Sequence, residues 1–251
     1  MTYCVAIKLK SGLVFASDSR TNAGIDQVSC FRKMRSFIDP GNRVIVTLCS
    51  GNLSITQNAL NLMELQGRHS DRRNIWNVES MFDVAQLLGE SLRQVRETDG
   101  AFLAQSNVDS GANFLVGGQV GNERIRLFLV YAEGNFIEAG EETPFFQIGE
   151  TKYGKPILDR VITPTTPIAE AIKCVMVSFD STMRSNLSVG LPIDLACYES
   201  GSLKLGFEHH ITAQDPYFSQ ISRHWGEGLR GLFASLPAPD WLNPSTSQPG
   251  S

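Results

Sequence analysis

The chain has 251 residues, 42% of them hydrophobic and 19% charged, with a formal net charge of −4. That is the composition of an ordinary globular protein, and it carries no basic footprint for nucleic acid. No apolar run approaches the roughly 20 residues that span a bilayer. The five cysteines (Cys4, Cys30, Cys49, Cys174 and Cys197) are scattered without a C-x-x-C pair, which argues against structural zinc and a disulfide framework and for buried thiols in a reducing compartment.

The start, MTYCVAIKLKSG, alternates like a strand and lacks the charged end and apolar core of a signal peptide, so a cytoplasmic protein without membrane contact is expected. Tyr3, Val5, Ile7 and Leu9 alternate with Cys4, Ala6, Lys8 and Lys10. Ser11-Gly12 then turns the chain into Leu13–Ser17, which makes a hairpin. Arg43–Cys49 is nearly continuous in apolar residues and is expected to be buried on both faces. Two helices follow, Ser54–Leu65 with Ser54 as its cap, and about 78–96, with Met81, Val84, Leu88, Leu92 and Val95 near one stripe.

Strands return at Asn113–Val120, Arg124–Ala132, a short piece through Phe136, and Phe145–Ile148, with turns at Gly121-Asn122 and Gly134-Asn135. Helices are expected from near Thr151 and over Thr166–Met183. A last hairpin pairs Gly190–Tyr198 with Ser202–Phe207, and a helix follows over Pro216–Phe233. Residues 236–251, rich in Pro and Ser, read as a disordered tail. Strands arrive as hairpins and helices as pairs, so a parallel βαβ sheet is disfavoured. Two antiparallel sheets packed face to face with helices outside, an α+β fold in one domain over 1–235, account for the order.

The chemistry is concentrated at the start. Once Met1 is removed, Thr2 carries a hydroxyl nucleophile and an α-amine, ordinarily titrating at about 7.7–8.0, on one residue. Asp18 ends the partner strand in Ala16-Ser17-Asp18-Ser19-Arg20, and Lys33 follows in Phe31-Arg32-Lys33-Met34. A lysine held near the hydroxyl favours its alkoxide and keeps the amine neutral by like-charge repulsion. Asp18 would keep that lysine protonated and oriented.

These residues, together with Cys49-Ser50-Gly51-Asn52, resemble the proteasome β-subunit family of N-terminal nucleophile hydrolases, and the opening run looks closest to its bacterial branch. The resemblance extends to about residue 235 and is sharp over the first 55. It implies a four-layer αββα sandwich and a threonine-type peptidase with Thr2 as nucleophile and Asp18 and Lys33 as its charge partners. It further implies Gly51 as oxyanion donor and a substrate pocket around Cys49 and Leu53 with Phe31 nearby, suited to apolar or small side chains. No cofactor is called for. Peptide or unfolded-protein substrates and self-association into a closed or open ring are implied, and docking of an ATP-dependent unfoldase is left open.

Two segments depart from the family pattern, which places a serine after a glycine and then Asp-x-x-Ser-Gly. Here the first reads Gly149-Glu150-Thr151 and the second Ser185-Asn186-Leu187-Ser188-Val189-Gly190, with Ser188 matching and no aspartate at 185. Ser188 reads equally as an orienting hydroxyl and as a turn residue. Two decoys are set aside. Gly149–Lys155 imitates a phosphate loop but ends in Pro156 and lacks a parallel βαβ setting. His209-His210 has no third metal ligand at useful spacing. A non-catalytic assembly subunit and a small-amide hydrolase are the rival readings on the same fold.

Overall fold

The structure, a computed structural model, describes residues 2–22, 28–68, 72–239 and 241. The first hairpin is β1 (Tyr3–Leu9) with β2 (Gly12–Asp18), in register from Cys4↔Ser17 to Leu9↔Gly12. A short ribbon, β3 (Arg20–Asn22) with β4 (Val28–Cys30), leads to β5 (Met34–Asp39) and β6 (Arg43–Gly51). Helices α1 (Leu53–Gln66) and α2 (Met81–Gln105) precede β7 (Ala112–Val120), β8 (Arg126–Val130), β9 (Phe136–Glu138) and β10 (Phe145–Gly149). Then come α3 (Lys155–Val161), α4 (Ile168–Ser185), β11 (Ile193–Glu199), β12 (Phe207–Ile211) and α5 (Pro216–Ser235).

Two five-stranded antiparallel sheets result, β10-β1-β2-β11-β12 and β5-β6-β7-β8-β9. Alternation along β1 explains how they stack. Tyr3, Val5, Ile7 and Leu9 pack with Leu158, Val175 and Phe179 of α3 and α4, whereas Cys4 and Ala6 meet Val46, Leu48 and Leu115 of the other sheet. The outer face of that second sheet is covered by α1 and α2 through Ile55, Met63, Val84, Leu88 and Leu92. The layers are therefore α, β, β, α, the architecture the element order implies. Burial of each large apolar side chain contributes roughly 1.5–3 kcal/mol. The first hairpin, whose Tyr3, Ile7, Leu13 and Phe15 are fully buried, is thus firmly held.

As the apolar run of Arg43–Cys49 requires, β6 is buried through Ser50. Other elements differ from expectation for local reasons. The strand at Met34–Asp39 is not expected from the sequence, because this edge strand carries Arg35, Ser36 and Asp39 and its apolar signal is weak. Helix α1 is capped by Asn52, whose side chain accepts from the Ser54 and Ile55 N–H groups, and not by Ser54. Helix α2 runs on past residue 96 to Gln105, its last turns holding Leu103 against the core while Phe102 is exposed. The expected helix from Thr151 begins only at Lys155.

In the last hairpin the second strand is Phe207–Ile211, not Ser202–Phe207. Residues 201–203 are held elsewhere: the Gly201 N–H donates to Gln119 Oε1 at 2.9 Å and the Leu203 N–H to the Tyr198 hydroxyl at 3.3 Å. Most of the expected tail, 240 and 242–251, lies outside the described residues. Among the described residues no helix is long and apolar enough to cross a membrane.

Candidate active site

The N-terminal end of β1 is anchored one residue past the candidate nucleophile. Tyr3 is fully buried, its ring 4.5 Å from that of Phe179 and its hydroxyl 2.6 Å from both Ser178 Oγ and Gln147 Nε2. Burial pushes its phenol well above the ordinary value, so it remains a neutral hydrogen-bonding group. Thr2 is half-buried, and alternation continues the face of Cys4 and Ala6, toward the second sheet.

Asp18 pairs with Tyr3 in the hairpin plane through a bond from the Tyr3 N–H to Asp18 Oδ1 at 2.9 Å. The same oxygen takes the Lys33 ammonium at 2.8 Å. Lys33 Nζ also donates to Arg20 O at 2.6 Å, and Lys33 O accepts the Cys49 N–H at 3.0 Å, so both ends of this lysine are fixed. Burial pushes the Asp18 carboxyl up from its ordinary value, opposed by Lys33 and by the Tyr3 N–H. The geometry is that of a carboxylate–ammonium pair out of water, with an Asp18 Oδ2 that finds no partner among the described residues.

Gly51 ends β6 at φ +102°, and a Cβ there would lie 2.2 Å from Gly111 O. Both facts exclude any other residue without backbone movement. A bare backbone at this point can approach a developing oxyanion. Cys4 Sγ reaches Cys49 O at 3.5 Å, which brings the start of β1 beside the end of β6.

A cavity of about 870 Å³ opens beside Lys33, between β5 and β6 on one side and β11 and β12 on the other. Cys49 and Leu53 line it; Phe31 does not, and is 40% exposed. Its wall is more charged than expected, with Arg35, Asp194, Glu208 and His210 among the lining residues. Burial pushes the Cys49 thiol up to about 11, which keeps it from acting as a rival nucleophile at neutral pH.

Ser188 is half-buried in the loop between α4 and β11, its N–H donating to Asn186 Oδ1 at 2.9 Å. Asn186 Nδ2 in turn donates to Glu150 Oε2 at 2.9 Å, and the Glu150 N–H donates to Thr2 O at 2.6 Å. The two segments in which the chain departs from the family pattern are therefore joined, through Glu150 and Asn186, in one chain of hydrogen bonds ending on Thr2. Glu150 and Asn186 are only members of those two segments in the sequence; their pairing, 36 residues apart, has no signal along the chain. Arg20 was likewise no more than part of a motif. Its guanidinium donates to Leu187 O at 2.9 Å and lies against Gly190, where a Cβ would be 2.4 Å from Cζ.

The decoys fall elsewhere. Lys155 is paired with Asp159 at 2.6 Å, and β10 runs antiparallel to β1. His209 meets Asp215 and His210 meets Asp194, at 2.9 and 2.7 Å, two separate pairs.

No protein-family model matches the chain, and no curated protein does. Solved structures match over nearly its whole length. Anbu (ancestral beta-subunit) from Yersinia bercovieri is 48% identical, covering 94% of this chain and 98% of its own, with a TM-score of 0.89. The helical assembly of the Anbu complex from Pseudomonas aeruginosa is 47% identical over 98% and 100%, at 0.91. Anbu from Hyphomicrobium sp. strain MC1 is 43% identical over 94% and 99%, at 0.88.

Proposed function

The chain belongs to the Anbu family of proteasome-like subunits, and from that premise we propose that it is a threonine-type peptidase of the N-terminal nucleophile class. Removal of Met1 frees the Thr2 amine. The Thr2 hydroxyl attacks a peptide carbonyl and gives its proton to that amine, and the Gly51 N–H receives the oxyanion. The leaving amine takes the proton as the tetrahedral intermediate collapses to an ester on Thr2. Water, deprotonated by the same amine, then hydrolyses the ester and returns Thr2.

Lys33 favours the alkoxide, and Asp18 keeps Lys33 charged and in place. The observation that carries this reading is the sharing of Asp18 Oδ1 between the Lys33 ammonium and the Tyr3 N–H, which ties a buried cation to the strand that presents Thr2. The Pseudomonas aeruginosa relative is a helical assembly. Here α5 exposes Leu229, Leu232 and Phe233 at one-face spacing, a stripe suited to self-association. Enclosure in such an assembly, in the cytoplasm, limits substrates to peptides and unfolded chains.

Intact mass measured after exposure to an epoxyketone or β-lactone tests the proposal. The expected result is a single adduct on Thr2 of a chain lacking Met1. A chain from its native host that keeps Met1 and reacts with neither reagent overturns it.

A further inference from the structure

Beyond the last register pair of the β1–β10 ladder, Tyr3↔Gly149, Thr2 stands opposite Glu150, and the bond from the Glu150 N–H to Thr2 O holds them together. Gly149 makes this approach possible: at φ +84°, a Cβ there would lie 2.0 Å from Thr2 O. Glu150 is only 8% exposed. Its carboxylate accepts Asn186 Nδ2 on Oε2 at 2.9 Å and the Lys152 N–H on Oε1 at 3.2 Å. Both donors are neutral, and among the described residues no lysine, arginine or histidine pairs with it. A nearly buried carboxylate without a counter-cation is costly. Removal of Met1 places an α-ammonium on Thr2, the residue opposite Glu150 in this register.

We propose that Glu150 is the positioning residue for the Thr2 α-amine, with Asn186 orienting its carboxylate; the proposal rests on reading Thr2 as a processed terminal nucleophile. The other charges facing the terminus are already engaged. Asp18 on β2 is matched by Lys33, Lys33 is held between Asp18 and Arg20 O, and the Arg20 guanidinium is spent on Leu187 O. Lys33 pushes the amine toward its neutral form and Glu150 toward its charged form. Glu150 therefore sets the pH above which the amine becomes a free base.

Competitive acetylation of the α-amine with acetic anhydride across pH, resolved by peptide mass mapping on chain beginning at Thr2, reads this without any turnover. In Glu150→Gln the midpoint is expected to fall by about one pH unit relative to wild type. At neutral pH the labelling rate then rises several-fold, with the melting temperature little changed. Asn186→Ala, which frees the carboxylate to turn away, shifts the midpoint the same way by less, and Glu150→Asp restores most of the wild-type value. A Glu150→Gln midpoint equal to wild type overturns the proposal. Should that variant not fold, an Asn186→Ala midpoint equal to wild type does the same. A shift in a protein that never hydrolyses peptides supports the positioning role and counts against the hydrolase reading; turnover with an unmoved midpoint does the reverse.

Discussion

Lys33 Nζ lies 2.8 Å from Asp18 Oδ1, with the two side chains 5% and 0% exposed. Removing one partner of so buried a pair strands the other, at a cost of about 3–5 kcal/mol. Lys33→Met is therefore expected to lower stability by that amount in urea titration. Adding Asp18→Asn should recover most of it, since the asparagine can still accept the Tyr3 N–H. Additive losses in the double variant would show that the pair is not coupled.

The nucleophile can be tested apart from the scaffold. Thr2 is half-buried and its backbone, not its side chain, makes the bond to Glu150. Thr2→Ala should keep the melting temperature while peptide turnover falls on the order of 10⁴-fold or more. Thr2→Ser should retain turnover and adduct formation. Full activity in Thr2→Ala would remove the hydroxyl from the mechanism.

Through Asp18, activity and stability are expected to respond oppositely to acid. Its folded carboxyl is raised above the ordinary 3.8 by burial, against the pull of Lys33 and the Tyr3 N–H. A group raised on folding contributes stability that is fully present below its unfolded value and is lost as pH rises through its folded value. Between the raised value and 3.8, the stability of wild type relative to Asp18→Asn should therefore increase as pH falls. Protonated Asp18 releases Lys33, so adduct formation at Thr2 should decline over the same interval. Parallel pH series of melting temperature and labelling rate check both signs.

Gly51 admits no side chain. Alanine there meets left-handed strain of roughly 1–2 kcal/mol and a clash with Gly111 O that adds roughly 1–3 kcal/mol of overpacking. Gly51→Ala should lose stability on that scale and nearly all turnover. Gly41→Ala, at φ +82° with nothing near its Cβ, should lose only the strain portion and keep turnover.

The fold was largely legible because its strands and helices carry clean periods. The apolar run of β6 and the stripe Ala171, Cys174, Val175 and Phe179 on α4 leave little choice of element. Edge strand β5 and the displaced β12 were not legible: Arg35 and Ser36 face a charged cavity, and residues 201–203 are tied to Tyr198 and to Gln119, the latter 82 residues away in sequence. Within the site, Asp18 and Lys33 could be read because they belong to contiguous motifs. Glu150 and Asn186 meet only after α4 has folded back over β10 and β1, and no local pattern records that.

Two bends of bare main chain, Gly51 at φ +102° and Gly149 at φ +84°, end β6 and β10, the second of them directly against Thr2 O. A scaffold whose contours are drawn by peptide groups can exchange the chemical identity of residues such as 150 and 186 while Thr2 stays where it is. The chemistry around Thr2 thus becomes adjustable one side chain at a time, with no change of frame.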